Sequence, residues 1–423
     1  MSRQFRAAVV GGGPAGLVAA LALGKARIEV FLAAPPHRTH AHAPDNRTAA
    51  LFAGSIELLK NVNAWEAIAP SSAPIRAIRI IDDTGALLRA PEVVFTAAEV
   101  GLDVFGWNVP NSALVAGLLD AASRSDSGVS LRATRGIAQV AIAEDSATLS
   151  TQEGDTLVAS LVVGADGRNS ICRSAAGIAT TTWQYEQAAI ATTFSHSRPH
   201  RSISTEFHRP SGPFTTVPLP GLASSLVWVE RPDEAQRLAA LDEASFRAAL
   251  EERLQGLLGT IGDISPRAVF PLSGLTAAVY GQNRTALVGE SGHVIPPIGA
   301  QGLNLGFRDA AALADCVATA LGQQRDPGEA STLAAYNAHR RPDVTSRITT
   351  IDVLNRSLIS DLVPVHLARG LGLVALKTFP PLRRFAIREG LQPSREVSSL
   401  LLPDGAHRLT QRREAAMTRH SAA

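Results

Sequence analysis

Lysine is nearly absent from this 423-residue chain: Lys25, Lys60 and Lys377 are the only three, so arginine carries almost all of the positive charge. That skew, together with the many alanines, reflects coding bias and carries no functional reading. A basic surplus is lacking as well. Lys+Arg number 40 against 38 Asp+Glu, a formal net charge of +2, whereas nucleic-acid binders show a strong basic excess or stripe. Nucleic acid is therefore excluded as a partner. The two cysteines, Cys172 and Cys316, make neither a disulfide framework nor, by themselves, a zinc site. Both lie in apolar, helix-like surroundings that suit small buried residues, and no metal site is expected. No run reaches the roughly 18 uninterrupted apolar residues of a membrane-spanning helix. The apolar stretch Leu17–Leu23 follows Gly11-Gly12-Gly13-Pro14 and has no separate small-residue cleavage site, so it is not read as a signal peptide. The expectation is a reducing, cytoplasmic setting.

What is present is apolar surface. Hydrophobic residues make up 45% and charged residues 18%, which excludes disorder over most of the length. At roughly 100–200 residues per domain, about two to four structural units are expected. Residues 5–10 form an apolar run ending in glycines, read as a buried parallel strand. An Ala/Leu helix over Gly16–Lys25 and a strand over Ile28–Leu32 complete a βαβ unit. Residues 45–70 read as helical. Residues 75–105 alternate β-like segments and turns, Asn111–Arg124 is an amphipathic helix, and strands are expected near 137–142, 146–151 and 157–163. Residues 183–275 hold strands at Ala188–Phe194, Ser202–His208 and Ser225–Glu230, interrupted by one helix over Glu243–Leu258. This stretch is most simply a mostly antiparallel sheet inserted into a nucleotide-binding domain. Ala286–Gly289 is a strand, helices dominate from about 303, and the basic tail after about 400 is expected to fray.

Gly11-Gly12-Gly13-Pro14-Ala15-Gly16 matches G-x-G-x-x-G directly after a strand and at the start of a helix. The first glycine permits the turn, Gly13 lets backbone approach a pyrophosphate, and Gly16 lets helix and strand pack closely. The helix N-terminus offers free N–H groups to phosphate. One element is missing: the strand over Ile28–Leu32 ends apolar, where an acid usually binds a ribose hydroxyl. That contact must come from elsewhere.

Two further segments make the pattern specific. Val162-Val163-Gly164-Ala165-Asp166-Gly167-Arg168 is a strand breaking at Asp-Gly. Leu287-Val288-Gly289-Glu290-Ser291-Gly292-His293 leads through Pro296-Pro297-Ile298-Gly299-Ala300-Gln301-Gly302-Leu303-Asn304 into another helix. In order and spacing the three resemble the fingerprints of single-component flavoprotein aromatic hydroxylases, and within them the chain is most similar to the ubiquinone-biosynthesis hydroxylase family. Asp45 to Leu51, Tyr185 to Ala189, Phe207 through Gly212-Pro213, and Tyr336 with Arg340-Arg341-Pro342-Asp343 extend the resemblance over most of the chain.

The resemblance implies an α/β fold: a Rossmann-like FAD-binding domain (1–74, 106–182 and 276–345) with an inserted, mostly antiparallel substrate domain (75–105 and 183–275). A helical region at 346–400 and a flexible tail at 401–423 follow. It implies non-covalent FAD, NAD(P)H as co-substrate, and O2 activated at flavin C4a to hydroxylate an aromatic ring, here a polyprenylated phenol. Cofactor contacts fall on Gly11, Gly13, Ala15, Gly16, Arg47, Asp166, Gly289, Glu290, Gly299, Gly302, Leu303 and Asn304. Arg173 would support the Asp166 loop, and Pro296 and Pro297 would position the flavin wall. Glu290 stands where the wider class usually has Asp. Asp166 also suits a helix N-cap, and Asp45 is a ready salt-bridge partner for Arg47. His293 reads as a positioning residue, and no catalytic base is named. Positive ends of helices would stabilise a reduced flavin.

A polyprenyl tail requires contact with a membrane or a lipid-presenting complex. Residues 362–391 combine apolar positions with Lys377, Arg383, Arg384 and Arg388, which suits a peripheral segment on the inner membrane face as well as it suits a packing helix. A hydroxylase of a soluble aromatic metabolite and a non-catalytic flavin-binding subunit of a quinone-biosynthesis complex remain the alternatives.

Overall fold

The computed structural model describes residues 6–35, 45–85, 91–359, 371–372, 374–391 and 397–421. Its first sheet is built on strand Arg6–Val10, flanked by Glu29–Ala34 and Leu161–Gly164, both parallel to it. Val129–Ala133 and Thr285–Leu287 extend the sheet in parallel, and Gly281–Gln282 closes one edge antiparallel. Strands covered on both faces must be apolar throughout, as the runs in Arg6–Val10 and Leu161–Gly164 are. Helices Pro14–Lys25 and Gln301–Gly322 pack together against this sheet, burying Leu17, Leu21, Leu305, Phe307 and Leu313.

The second sheet runs in the order His293–Val294, Ala268–Ala277, Thr180–His196, Ala223–Glu230, Gly212–Leu219, Ile203–Arg209, Ala77–Asp82, Val93–Thr96. Ile261–Ile264 pairs separately with Thr180–His196. Every pairing is antiparallel except that of Ile203–Arg209 with Ala77–Asp82. Side chains alternate between the two faces of a strand. One face therefore carries Phe194, Phe207, Phe214 and Trp228, which pack with Phe246 and Leu250 from helix Glu243–Leu254. Phe214 and Trp228 meet edge-on at 5.2 Å, a geometry worth about 0.5–1.5 kcal/mol beyond burial. The opposite face lines the site.

Four expectations change. Residues 45–70 do not begin as helix: Thr48–Phe52 is a strand paired with Gly106–Pro110, and helix Ala53–Asn61 follows it. Two helices, Pro232–Ala240 and Glu243–Leu254, interrupt the inserted sheet, because Pro232 opens the first and Asp242 caps the second. The division expected at 345/346 falls inside one continuous helix, Ala330–Ile359. The described part of the tail is helical. Helix Gly405–Ser421 packs on Gln301–Gly322, burying Leu409 and Ala416. Gly322 permits the contact, since a Cβ there would lie 2.3 Å from the Arg413 carbonyl oxygen.

Leu409→Ala is accordingly expected to cost about 2–5 kcal/mol, the range for truncating a buried leucine. Urea unfolding of the holoprotein measures it. An unchanged midpoint would mean that this helix contributes nothing to the fold.

Candidate active site

The three glycine-containing motifs end parallel, neighbouring strands and meet at their carboxyl edge. Gly11 N–H donates to Ala33 O at 3.0 Å, Ala165 N–H to Val10 O at 2.9 Å, and Val288 N–H to Gly164 O at 2.9 Å. In open α/β sheets this edge, where the strand order reverses, is the binding crevice. Gly11 has φ +122°, and a Cβ there would sit 2.2 Å from Ala165 O. A Cβ on Gly16 would sit 2.0 Å from Gly11 O. Gly13 differs. Its φ is −75° and a Cβ would meet nothing within 4 Å, so the fold itself has no need of glycine at this position.

In the second motif, Asp166 Oδ2 accepts from Cys172 N–H at 3.2 Å, while its buried Oδ1 has no hydrogen-bond partner. Ser170, not Asp166, caps helix Ile171–Ala175. Arg173 donates to Ser291 O and to Arg168 O, each at 2.8 Å, and so ties the second motif to the third. Burial, reinforced by the Asp166 carboxylate, pushes the Cys172 thiol well above its usual range, which suits an inert packing residue.

The third motif is held from below. Asp309, fully buried, accepts from Gly289 N–H at 2.9 Å and from His293 Nε2 at 2.7 Å, and pairs with Arg340 at 2.7 Å. Arg340 also reaches Asp343 at 2.9 Å, which Arg308 meets at 2.8 Å. Tyr336 OH donates to Leu287 O at 2.7 Å. His293 is thus spent on positioning. The Tyr336, Arg340 and Asp343 signature supports the Gly289-Glu290 turn, whose φ of +65° at Gly289 brings it against Ala15.

Between the two sheets lies a cleft with two lobes. The smaller, about 240 Å³, is lined by Asn46, Arg47, Arg168, Phe270 and Leu272. The larger, about 310 Å³, is lined by Ile75, Ile78, Asn108, Glu206, Val217, Gly299, Ala300, Gly302 and Leu303. Glu290, Ile295, Pro296 and Pro297 border both. Helix Gln301–Gly322 points its first turn at the larger lobe, and its N-cap Ala300 supplies no side-chain cap, so the orphan N–H groups there are available to a ligand.

Two of the residues expected to contact the cofactor have side chains with partners inside the protein. Arg47 is gripped through two hydrogen bonds of 2.8 Å by Asp45 and lies over Phe270, 5.2 Å from the ring centre. Its guanidinium borders the smaller lobe but is already paired. Asn304 is buried and fully used: Nδ2 donates to Ala50 O and Ala300 O, while Oδ1 accepts from Phe52 N–H and Ser55 Oγ. Its side chain has no capacity left for a ligand and instead fastens the helix start to strand Thr48–Phe52.

The chain matches the model of the FAD-binding domain family over residues 4–350. It is 36% identical to the ubiquinone hydroxylase UbiL of Rhodospirillum rubrum, over 90% of this chain and 88% of that protein. It is 32% identical to the 3-demethoxyubiquinol 3-hydroxylase of Escherichia coli, over 91% and 97%. The chain belongs to the ubiquinone-biosynthesis hydroxylase family. Among solved structures, p-nitrophenol 4-monooxygenase PnpA of Pseudomonas putida shares the fold at a TM-score of 0.75, with 20% identity over 94% of this chain and all of that one.

This hydroxylase carries site residues that its sequence did not reveal: Asn108, Glu206 and Asp309. Asn108 Nδ2 donates to Pro218 O and Ser225 Oγ, leaving its buried Oδ1 unpartnered beside the larger lobe. Asp309 had no flag of its own, although its spacing after the Gly-rich loop puts it on the inner face of the helix.

Burial alone would raise the Asp309 carboxyl; attraction to His293 and Arg340, with the His293 and Gly289 hydrogen bonds, overrides it and holds the pKa at about 2. A folded value below the ordinary 3.8 means that this stabilisation is complete above about pH 4 and is lost as pH falls toward 2. Asp309→Asn should cost about 3–5 kcal/mol at neutral pH by leaving the buried Arg340 and Arg308 to share the single carboxylate of Asp343, and should flatten that acid limb. Unfolding midpoints between pH 2 and 7 check it; parallel curves for parent and variant would contradict the assignment.

Proposed function

We propose that the protein is a monooxygenase that hydroxylates the aromatic ring of a polyprenylated phenol in ubiquinone biosynthesis, using FAD, O2 and NAD(P)H. The observation that carries the reading is the larger lobe. It joins the third cofactor-type loop, from Glu290 to Leu303, to an aliphatic wall of Ile75, Ile78, Val217 and Val227, so a ring and the start of an apolar tail fit beside the flavin position. Residues present suit FAD. Gly13 leaves open space where a pyrophosphate would meet backbone, the buried Asp166 Oδ1 awaits a donor, and the helix at Gln301 presents uncapped N–H groups. Gly11, Gly13, Ala15 and Gly16 would hold the pyrophosphate; Asp166, Gly289 and Glu290 the ribose and ribitol; Gly299, Gly302 and Leu303 the pyrimidine edge. FAD, when bound, supplies hydride acceptance and oxygen activation. The chain supplies orientation, with Pro296 and Pro297 as a rigid wall, and a largely apolar lobe that excludes water.

The tail points to a lipid surface. Among the described residues no helix is long and apolar enough to cross a membrane. Helix Pro380–Leu391 and the residues before it expose Leu371, Val374, Phe379, Leu382 and Phe385, the two phenylalanines at 64% and 61%. Exposed Lys377, Arg384 and Arg388 are interspersed among them, the composition of an interfacial segment. Gln301 donates to Gly390 O at 3.0 Å, so the same helix touches the start of helix Gln301–Gly322. Arg383, expected to face lipid, instead pairs with Glu99 and stacks on Phe95 at 4.7 Å; it is a packing residue. Residues 362–370 lie outside the described residues.

Two experiments test these points. Gly13→Val should fold, because the fold leaves room, yet purify without FAD; parental FAD content, released by acid as intact FAD, would reduce the loop to a turn. Lys377, Arg384 and Arg388 replaced by glutamate should weaken binding to phosphatidylserine vesicles at least about a hundredfold, from about 1 kcal/mol per basic residue, with FAD content unchanged. Equal co-sedimentation would mean that lipid reaches the site by another route.

A further inference from the structure

We propose that Glu206 is the general base that takes the proton from the substrate's ring hydroxyl during oxygen transfer. The proposal rests on the reading above that the substrate is a phenol. Strand Ile203–Arg209 sends Phe207 into the aromatic core, which leaves Glu206 on the cleft face. Among the described residues lining the larger lobe, only Glu206 and Glu290 are ionisable. Glu290 belongs to the cofactor-type loop, whereas Glu206 stands on the substrate sheet. The Glu206 side chain is 15% exposed and its partner His208 only 4%. His208 Nε2 meets Oε1 at 2.7 Å, while Thr215 Oγ1 reaches Oε2 only at 3.4 Å. Two carboxylate oxygens accept about four hydrogen bonds, so Oε2 keeps capacity for a donor from the cavity. In a lobe walled by Ile75, Ile78, Val217 and Val227 as well as by polar groups, such a half-satisfied carboxylate gains from a ligand O–H.

A resting phenol is a far weaker acid than a carboxylic acid, so Glu206 does not ionise it before reaction. The balance changes as the ring carbon bonds to the incoming oxygen. Positive charge then builds on the hydroxyl oxygen, and its O–H becomes a stronger acid than a carboxylic acid. The O–H bond breaks, its electron pair closes a C=O bond to the ring, and the proton bonds to Glu206 Oε2. The C–H proton of the attacked carbon passes to the departing oxygen atom, its electron pair restores aromaticity, and the ring oxygen regains its proton from Glu206. One C–H becomes C–OH, Glu206 ends as a carboxylate, and the second oxygen atom leaves as water with electrons from NAD(P)H.

Holoprotein is titrated with ortho-octylphenol and with its O-methyl ether, following the flavin absorbance; hydroxylated product and NADH oxidation are then measured. The parent should prefer the phenol over the ether by about 10- to 100-fold, the worth of a charge-assisted hydrogen bond. Glu206→Gln, equal in shape, should keep parental FAD content, lose most of that preference and form product about 10²–10⁴-fold more slowly, with NADH oxidation continuing. Glu206→Asp, which retains the charge, should recover part of the rate. Should Glu206→Gln lose FAD, the Glu206→Asp comparison decides alone: a rate and a preference equal to the parent's would overturn the proposal, and an intermediate rate supports it. Product formation by a FAD-replete Glu206→Gln within about threefold of the parent, well inside the range expected for a lost base, would reduce Glu206 to a structural partner of His208. A parent that leaves the phenol unhydroxylated would overturn the proposed substrate class instead, and this base with it.

Discussion

The Asp309 carboxylate accepts from the Gly289 N–H and the His293 ring and pairs with Arg340, so one buried charge joins a loop and two helices. Removing a single partner strands the rest without water, which fixes their relative positions far more tightly than packing alone. The network's main product is geometry. It sets where Glu290 projects and where helix Gln301–Gly322 begins, and Asn304 carries that constraint on to strand Thr48–Phe52. From there the cleft wall is determined on its cofactor side.

The substrate side follows from the two-faced inserted sheet. Helices cover the face bearing Phe207, Phe214 and Trp228, and the alternation that buries these rings presents Glu206, Thr215 and Val227 to the cleft. Because the aromatic side is closed by close packing, the cleft face can hold polar groups at low cost to the fold. A base, a hydrogen-bonding amide at Asn108 and an aliphatic wall coexist there for that reason.

How much of this was legible in the sequence depended on how local the constraint was. Gly11 and Gly16 announce themselves because only glycine satisfies their contacts, and the strand-loop-helix order of all three motifs is written in consecutive residues. The segment after Asp45 misled, since Ala49-Ala50-Leu51-Phe52 is a short apolar run whose pairing with Gly106–Pro110 lies far away in the chain. The tail misled for a similar reason: Leu409 and Ala416 form a thin apolar stripe that means little without Gly322 opposite. Glu206 and His208 were hidden by their own pattern. Polar residues alternating with Phe207 read as a solvent face, and only the tertiary structure turns that face onto a cavity. Asp45 was legible as a partner of Arg47 because it lies two residues away, whereas the partners of Asn304 were not, since they lie on strand Thr48–Phe52 far back in the chain.

The central claim is that the cleft places a phenol ring where FAD delivers one atom of O2 to it. Its most direct test is isotopic: purified holoprotein, NADH and ortho-octylphenol under heavy-oxygen O2, with the product analysed by mass spectrometry. The account predicts a ring-hydroxylated product carrying one heavy oxygen atom, and none when the label is in water instead. Label entering from water, or NADH oxidised with the phenol recovered unchanged, would contradict it.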